Sequence, residues 1–394
     1  MLTMVHSNYA RVKNGILQVD RKFITGMRRY AELIDAPLLT IHPEMPAGSQ
    51  IMDLVEVPCK DLGFQVVTIK DYKCAESKAL LRQQIARSSL VYGGGLGCAQ
   101  IARSLGIPYI LVLEYDRQTE LTMTTMQVPS LLRRGIRSLR YLKYYLSDGI
   151  PSMRGARALH CNGYPIYDES RRFNEHRLLY LDSRMSADMV IGAGQLDERL
   201  RRRGGRPLRL LFSGRYECVK GADDSVRVAI ECLRRGFNIE LHTYGQGKLR
   251  EQMRQLAGQS PVAGRIHIHD AIPYPELVQR SREFDLFVCC HIQNDPSCTY
   301  LETFGAGLPI VGYDNRMWQR LSAVSQCGYA SPSGQPAAVA SDIARLLADA
   351  NLLADMSRRA RAFALEHTFE REFSLRTAAL QQELASARPM RSVA

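Results

Sequence analysis

Residues 212–221 read Phe-Ser-Gly-Arg-Tyr-Glu-Cys-Val-Lys-Gly, and they put two cations, Arg215 and Lys220, and two glycines, Gly214 and Gly221, just past an apolar run. Glycine lets backbone approach a ligand closely, and Arg and Lys supply charge without a metal. A second stretch, 294–312, opens with Asn294, Asp295, Pro296, Ser297, Cys298 and Thr299, then reads Tyr300-Leu301-Glu302-Thr303-Phe304 before Gly305-Ala306-Gly307-Leu308-Pro309. Its middle, from about 298 to 305, predicts a short helix ended by glycine and proline. The free N–H groups at a helix start suit an anion. Two cations, a helix start and the ends of predicted strands together suit a diphosphate. Glu302, flanked by Leu301 and Phe304, needs polar partners, and ribose hydroxyls qualify. Asp295 either caps the helix or binds sugar hydroxyls. His291 ends the strand that feeds this stretch and is placed to line the same site.

These residues require a scaffold of parallel strands. The chain has 394 residues, which predicts two domains. Strands are expected near 37–42, 64–69, 90–92 and 109–114, alternating with helices at 26–34, 78–88 and 98–105. A second series has strands near 208–212, 238–244, 265–269 and 285–290, with helices at 223–235, 248–256 and 275–281. Alternation of this kind predicts an α/β fold with two Rossmann-like domains that bind ligand between their strand ends. The expected division is a first domain over 1–186, an arginine-rich link over 187–206, a second domain over 207–375 and a tail over 376–394.

Composition narrows the function classes. The net charge of +12 admits an anionic substrate, an anionic membrane or nucleic acid, but no nucleic-acid motif accompanies it. No apolar run is long enough to span a bilayer, and the N-terminus lacks the pattern of a signal peptide, so a cytoplasmic protein is expected. The ten cysteines show no metal or disulfide spacing and read as free thiols. His267 and His269 alternate with isoleucines, and with Cys289, Cys290 and His291 they form a weak metal motif; no metal is expected.

In combination, the motifs resemble the retaining glycosyltransferases of family 4 (group 1 glycosyltransferases), which have the GT-B fold. The matching pieces are 212–215 with Lys220-Gly221, then Tyr244-Gly245-Gln246-Gly247, then 295–311. The resemblance implies a nucleotide-diphosphate sugar as donor and no other cofactor. It implies catalytic roles for Arg215, Lys220 and Asp295. It implies donor contacts from Gly214, Gly245, His291, Ser297, Cys298, Thr299, Tyr300 and Glu302. The family's usual first glutamate falls on Asn294, with Asp295 as the nearest acid. An inactive sugar-nucleotide or glycan-binding subunit therefore stays open as an alternative.

The first half resembles the family less. Its Gly-rich first loop has only Lys13-Asn14-Gly15 as a candidate. Gly95, Glu114, His160 and Asn162 are the expected acceptor-side residues, with His160 either donating into the cleft or satisfied by backbone. Gly93-x-Gly95-x-Gly97 suggests a dinucleotide fingerprint and hence an oxidoreductase, but the third glycine of that fingerprint falls on Cys98. Residues 131–146 carry Arg133, Arg134, Arg137, Arg140 and Lys143, no acid, and leucines at helical spacing. They form either a docking helix for an anionic membrane or an ordinary packed helix. The resemblance implies a glycan or lipid-linked acceptor, as in the synthesis of bacterial surface polysaccharides.

Overall fold

A computed structural model describes residues 1–46, 48, 53–70, 74–94, 97–126, 128–258 and 263–387. The chain forms two compact units, Met1–Tyr180 with Glu372–Ala394, and Leu181–Arg371.

The first unit is built on a seven-stranded sheet. Its order is Arg177–Tyr180, Ala158–Asn162, Tyr109–Leu113, Leu90–Gly93, Leu2–Val5, Leu38–Pro43 and Gln65–Ile69. Every pairing is parallel. Parallel strands are buried on both faces, which is why Leu2, Met4, Leu39, Ile41, Leu90 and Ile110 are almost wholly enclosed. A small antiparallel sheet, Arg11–Lys13, Ile16–Asp20 and Leu54–Pro58, is added to it. Lys13-Asn14-Gly15, the candidate for the Gly-rich first loop, forms the turn of this hairpin. Asn14 and Gly15 have φ of 51° and 73°, the positive pair that a tight hairpin turn requires.

The second unit has a six-stranded parallel sheet ordered Ile266–His269, Ile239–Tyr244, Leu208–Ser213, Leu286–Cys289, Ile310–Tyr313 and Gly328–Ser331. In chain order this is 3-2-1-4-5-6, the doubly wound arrangement. Its topological switch point lies between Leu208–Ser213 and Leu286–Cys289, and ligands bind there beyond the strand ends.

Two expected segments differ. Residues 187–206 are not a flexible link: they lie in the second unit and include the helix Ala193–Arg201. Arg199 is buried and donates to Ala306 O at 2.8 Å and Gly307 O at 2.6 Å, which satisfies carbonyls at the end of the Thr299–Gly305 helix. Burial pulls its pKa down to about 10. Arg206 grips Asp285 through two bonds of 2.7 Å. The expected tail is also structural. The helix Phe369–Ser386 belongs largely to the first unit, where Arg376 lies over the Phe373 and Tyr180 rings at 4.1 and 4.5 Å. An arginine-rich run reads as a link only while its partners, carbonyls and carboxylates distant in sequence, are unknown.

Candidate functional site

The loop after Leu208–Ser213 is held down by Tyr216. Its ring is buried, and its hydroxyl lies 2.9 Å from Thr243 Oγ1 and donates to His269 O at 2.6 Å. A short turn, Cys218–Lys220, follows and ends at Gly221 in the left-handed conformation, φ 56°. A Cβ on Gly221 would lie 1.9 Å from Cys290 O, so only glycine lets this loop press against the end of Leu286–Cys289. The Ile292 N–H donates to Val219 O at 3.2 Å and stitches the two switch-point loops together.

That contact brings Lys220 to Asp295. The Lys220 ammonium donates to Asp295 Oδ2 at 3.0 Å, with side-chain exposures of 10% and 17%. Arg215 is different: its side chain is exposed and pairs with Glu217 at 3.1 Å. Asp295 does not cap the following helix with its carboxylate; its backbone carbonyl accepts from the Ser297 N–H at 2.9 Å. Asn294 has its own structural task, accepting from the Arg316 N–H at 2.8 Å.

The helix Thr299–Gly305 has seven residues, and Cys298 before it makes no side-chain cap. Ser297 Oγ instead accepts from the Thr299 N–H at 3.4 Å and donates to Thr299 Oγ1 at 3.1 Å. The Cys298 thiol points to Asp182 Oδ2 at 3.8 Å.

Glu302 is held by a residue that the sequence reading did not assign. Arg184 donates to Glu302 Oε1 from Nε at 2.8 Å and from Nη2 at 2.6 Å, and its guanidinium lies 4.2 Å from the Tyr274 ring centroid. Burial opposes the charge on Arg184, but Glu302 outweighs it and holds the arginine firmly protonated. Nothing local in the sequence signals this pair, which is 118 residues apart.

Three buried polar atoms without a hydrogen-bond partner fall within five residues here: His291 Nδ1, Gln293 Oε1 and Asp295 Oδ1. Tyr274 Oη, over which Arg184 stacks, is a fourth. Native chains leave few such atoms unsatisfied, and clusters of them call for a ligand or water. Burial, and then the Lys220 charge, pushes the His291 pKa well down, so its ring is neutral. Among the described residues no group of three or more His, Cys, Asp or Glu is placed to hold a metal ion.

Several expected site residues take other roles. The Tyr300 ring is in the core, stacked on Trp318 at 5.7 Å, with its hydroxyl bonded to Asn315 at 3.3 Å, so it does not face a donor. Gly245 is glycine for packing: a Cβ there would lie 2.0 Å from Gly214 O. His160 is a buried core residue of the first unit, with Nδ1 3.3 Å from Tyr92 Oη. Burial, assisted by Arg376, lowers its pKa to about 3. Asn162 is buried at the end of Ala158–Asn162, and Glu114 is exposed just past Tyr109–Leu113. Gly95 lies outside the described residues. Its neighbours explain themselves without a dinucleotide, because Cβ atoms on Gly93 and Gly94 would fall 2.3 Å from Val5 O and 2.2 Å from Val112 O.

Two doubly wound units, one with a built switch point, define a class of fold that is shared with solved glycosyltransferases. The chain aligns over 98% of its length, and 99% of the other chain, with WaaG, a glycosyltransferase involved in lipopolysaccharide biosynthesis, at TM-score 0.63 and 14% identity. It aligns equally broadly, over 98% of both chains, with HepE of Anabaena, solved with UDP and glucose, at TM-score 0.62 and 12% identity. Sucrose-phosphate synthase of Thermosynechococcus elongatus matches at TM-score 0.67 and 12% identity, over 98% of this chain and 99% of that one. The architecture is therefore GT-B. Residues 197–363 match the family model of group 1 glycosyl transferases. Alpha-D-kanosaminyltransferase of Streptomyces kanamyceticus is 26% identical over 188 residues, which is 47% of this chain and 48% of that protein.

Proposed function

We propose that the chain is a retaining, metal-independent glycosyltransferase that moves a sugar from a nucleotide-diphosphate sugar to a hydroxyl on a glycan or lipid-linked glycan. The observation that carries this reading is the cluster of unsatisfied polar atoms beside the Lys220–Asp295 pair, at the switch point of the second unit. Lys220 would neutralise the departing diphosphate, with Arg215 reaching in from the exposed side of the loop. In a low-dielectric site such charge acts most strongly on the transition state. Asp295 Oδ1 would accept from a sugar hydroxyl, and both Arg184 bonds land on Glu302 Oε1, which leaves Oε2 for the ribose. The incoming hydroxyl would lose its proton to the leaving phosphate on the same face, so no enzymatic nucleophile is needed. A bacterial surface polysaccharide is the fitting pathway class, with the acceptor presented at the cytoplasmic membrane face.

A binding-only subunit is a second reading, favoured by Asn294, whose side chain is committed to the Arg316 N–H where the family usually has an acid. Incubating purified protein with UDP-, GDP- and ADP-sugars and measuring donor hydrolysis and transfer separates the two. Turnover with one donor, lost in Lys220→Ala, supports the enzyme. Nucleotide binding without any turnover supports the subunit.

A further inference from the structure

The helix Leu131–Tyr144 is oriented in the opposite sense to a packed amphipathic helix. It has no buried residue, and Leu131, Leu132 and Leu139 are 80%, 75% and 68% exposed. Ile136, Leu142 and Leu146 are exposed as well. At 3.6 residues per turn, these six occupy one arc of about 140°. The other side is tied to the first unit by polar bonds. Tyr141 Oη donates to Glu120 Oε2 at 2.8 Å and Tyr145 Oη to Glu169 Oε1 at 2.9 Å. Arg137 Nη1 donates to Thr124 O at 3.2 Å and Arg134 Nε to Val128 O at 2.5 Å. The polar side thus faces the protein and the leucine side faces outward, against the direction in which apolar burial drives a helix in water.

Charge selects the occupant. Residues 131–146 hold five Arg or Lys and no acid, and Val128, Pro129, Arg133, Ile136, Arg137 and Arg140 line a groove on this surface. A second copy of the chain would set like charges against each other, whereas a bilayer rich in anionic phosphates offers acyl chains to the leucines and phosphates to the guanidiniums. Among the described residues no helix is long and apolar enough to cross a membrane. We infer that Leu131–Tyr144 lies in the plane of an anionic lipid surface, with its leucines below the headgroups and Arg133 and Arg140, at the flanks of the leucine arc, on lipid phosphates. This inference is independent of the glycosyl-transfer reading.

The test is co-sedimentation of the full chain with phosphatidylcholine vesicles, with and without phosphatidylglycerol. The expected result is binding to the anionic vesicles only, weakened by salt but not abolished, and reduced at least about tenfold in both Leu132→Glu/Leu139→Glu and Arg133→Glu/Arg140→Glu. Leu139→Trp provides a second readout that leaves the polar anchoring side intact, and brominated acyl chains should quench its emission. The inference fails if neither vesicle binds, if both bind equally, if neither double variant weakens binding, or if Leu139→Trp is unquenched. It also fails if sedimentation equilibrium shows a dimer that Leu139→Glu dissociates, which would make the surface a self-contact.

Discussion

Replacing Lys220 by Met separates what the Lys220–Asp295 pair does for the fold from what it does for a ligand. The two charges are 3.0 Å apart and nearly enclosed. At an effective dielectric constant of about 20, their raw attraction is about 5.5 kcal/mol. Desolvation of both groups cancels most of this, so the pair itself adds little net stability. Removing only the cation is another matter, because Asp295 is then buried and unpaired. We expect a loss of about 2–4 kcal/mol, read as a fall of roughly 5–10 °C in the melting temperature of the unit. Lys220→Met/Asp295→Asn removes both charges and should recover stability to within about 1 kcal/mol. It should not recover the diphosphate. Whichever of UDP, GDP or ADP the parent binds should be held at least about a hundredfold more weakly by Lys220→Met and by the double variant. Asp295→Asn alone keeps the cation and should bind that nucleotide nearly as the parent does, while losing sugar-dependent turnover. Calorimetric titration and denaturant melts on the four proteins decide the matter. If the double variant binds the nucleotide as tightly as the parent, Lys220 is only a structural partner of Asp295 and the proposed chemistry is refuted.

Glu302→Gln should weaken the nucleotide about tenfold while leaving the Tyr274–Arg184 stack in place, measurable by the same titration; an unchanged affinity would remove Glu302 from the donor site. Gly221→Ala should cost several kcal/mol, because the added Cβ meets Cys290 O at 1.9 Å in a left-handed conformation; a melting temperature within a few degrees of the parent would contradict the close loop packing. Acid should destabilise the first unit from near pH 6.5 downward. Burial lowers the pKa of His42 to about 4 and of His160 to about 3, so between those values and the unfolded value near 6.5 the unfolded chain takes up protons that the folded chain refuses. At pH 5.5 each costs about 1.4 kcal/mol, and His160→Gln should flatten part of the slope in denaturant melts recorded from pH 7.5 to about 5.

How far the sequence exposes this molecule depends on where each residue's partners lie. Strands such as 109–113 and 208–213 are legible because burial on both faces demands an unbroken apolar run. The switch-point loops are legible because glycines and cations cluster where such runs stop. Arg184, Arg199 and Arg206 are not legible, because Glu302, the carbonyls of Ala306 and Gly307, and Asp285 are far along the chain and no local pattern encodes those contacts. His160 reads as a site residue because strand ends often carry one, and only the Tyr92 contact shows it to be core. The 131–146 segment marks the limit most clearly. Its spacing specifies an apolar face and a polar face, and both a packed helix and a lipid-seated one satisfy that pattern equally. The decision is made by Glu120 and Glu169, which bind the hydroxyls of Tyr141 and Tyr145 from other elements and so turn the leucines away from the core. Periodicity defines the faces of a helix; the partners of its polar side decide which face the protein keeps.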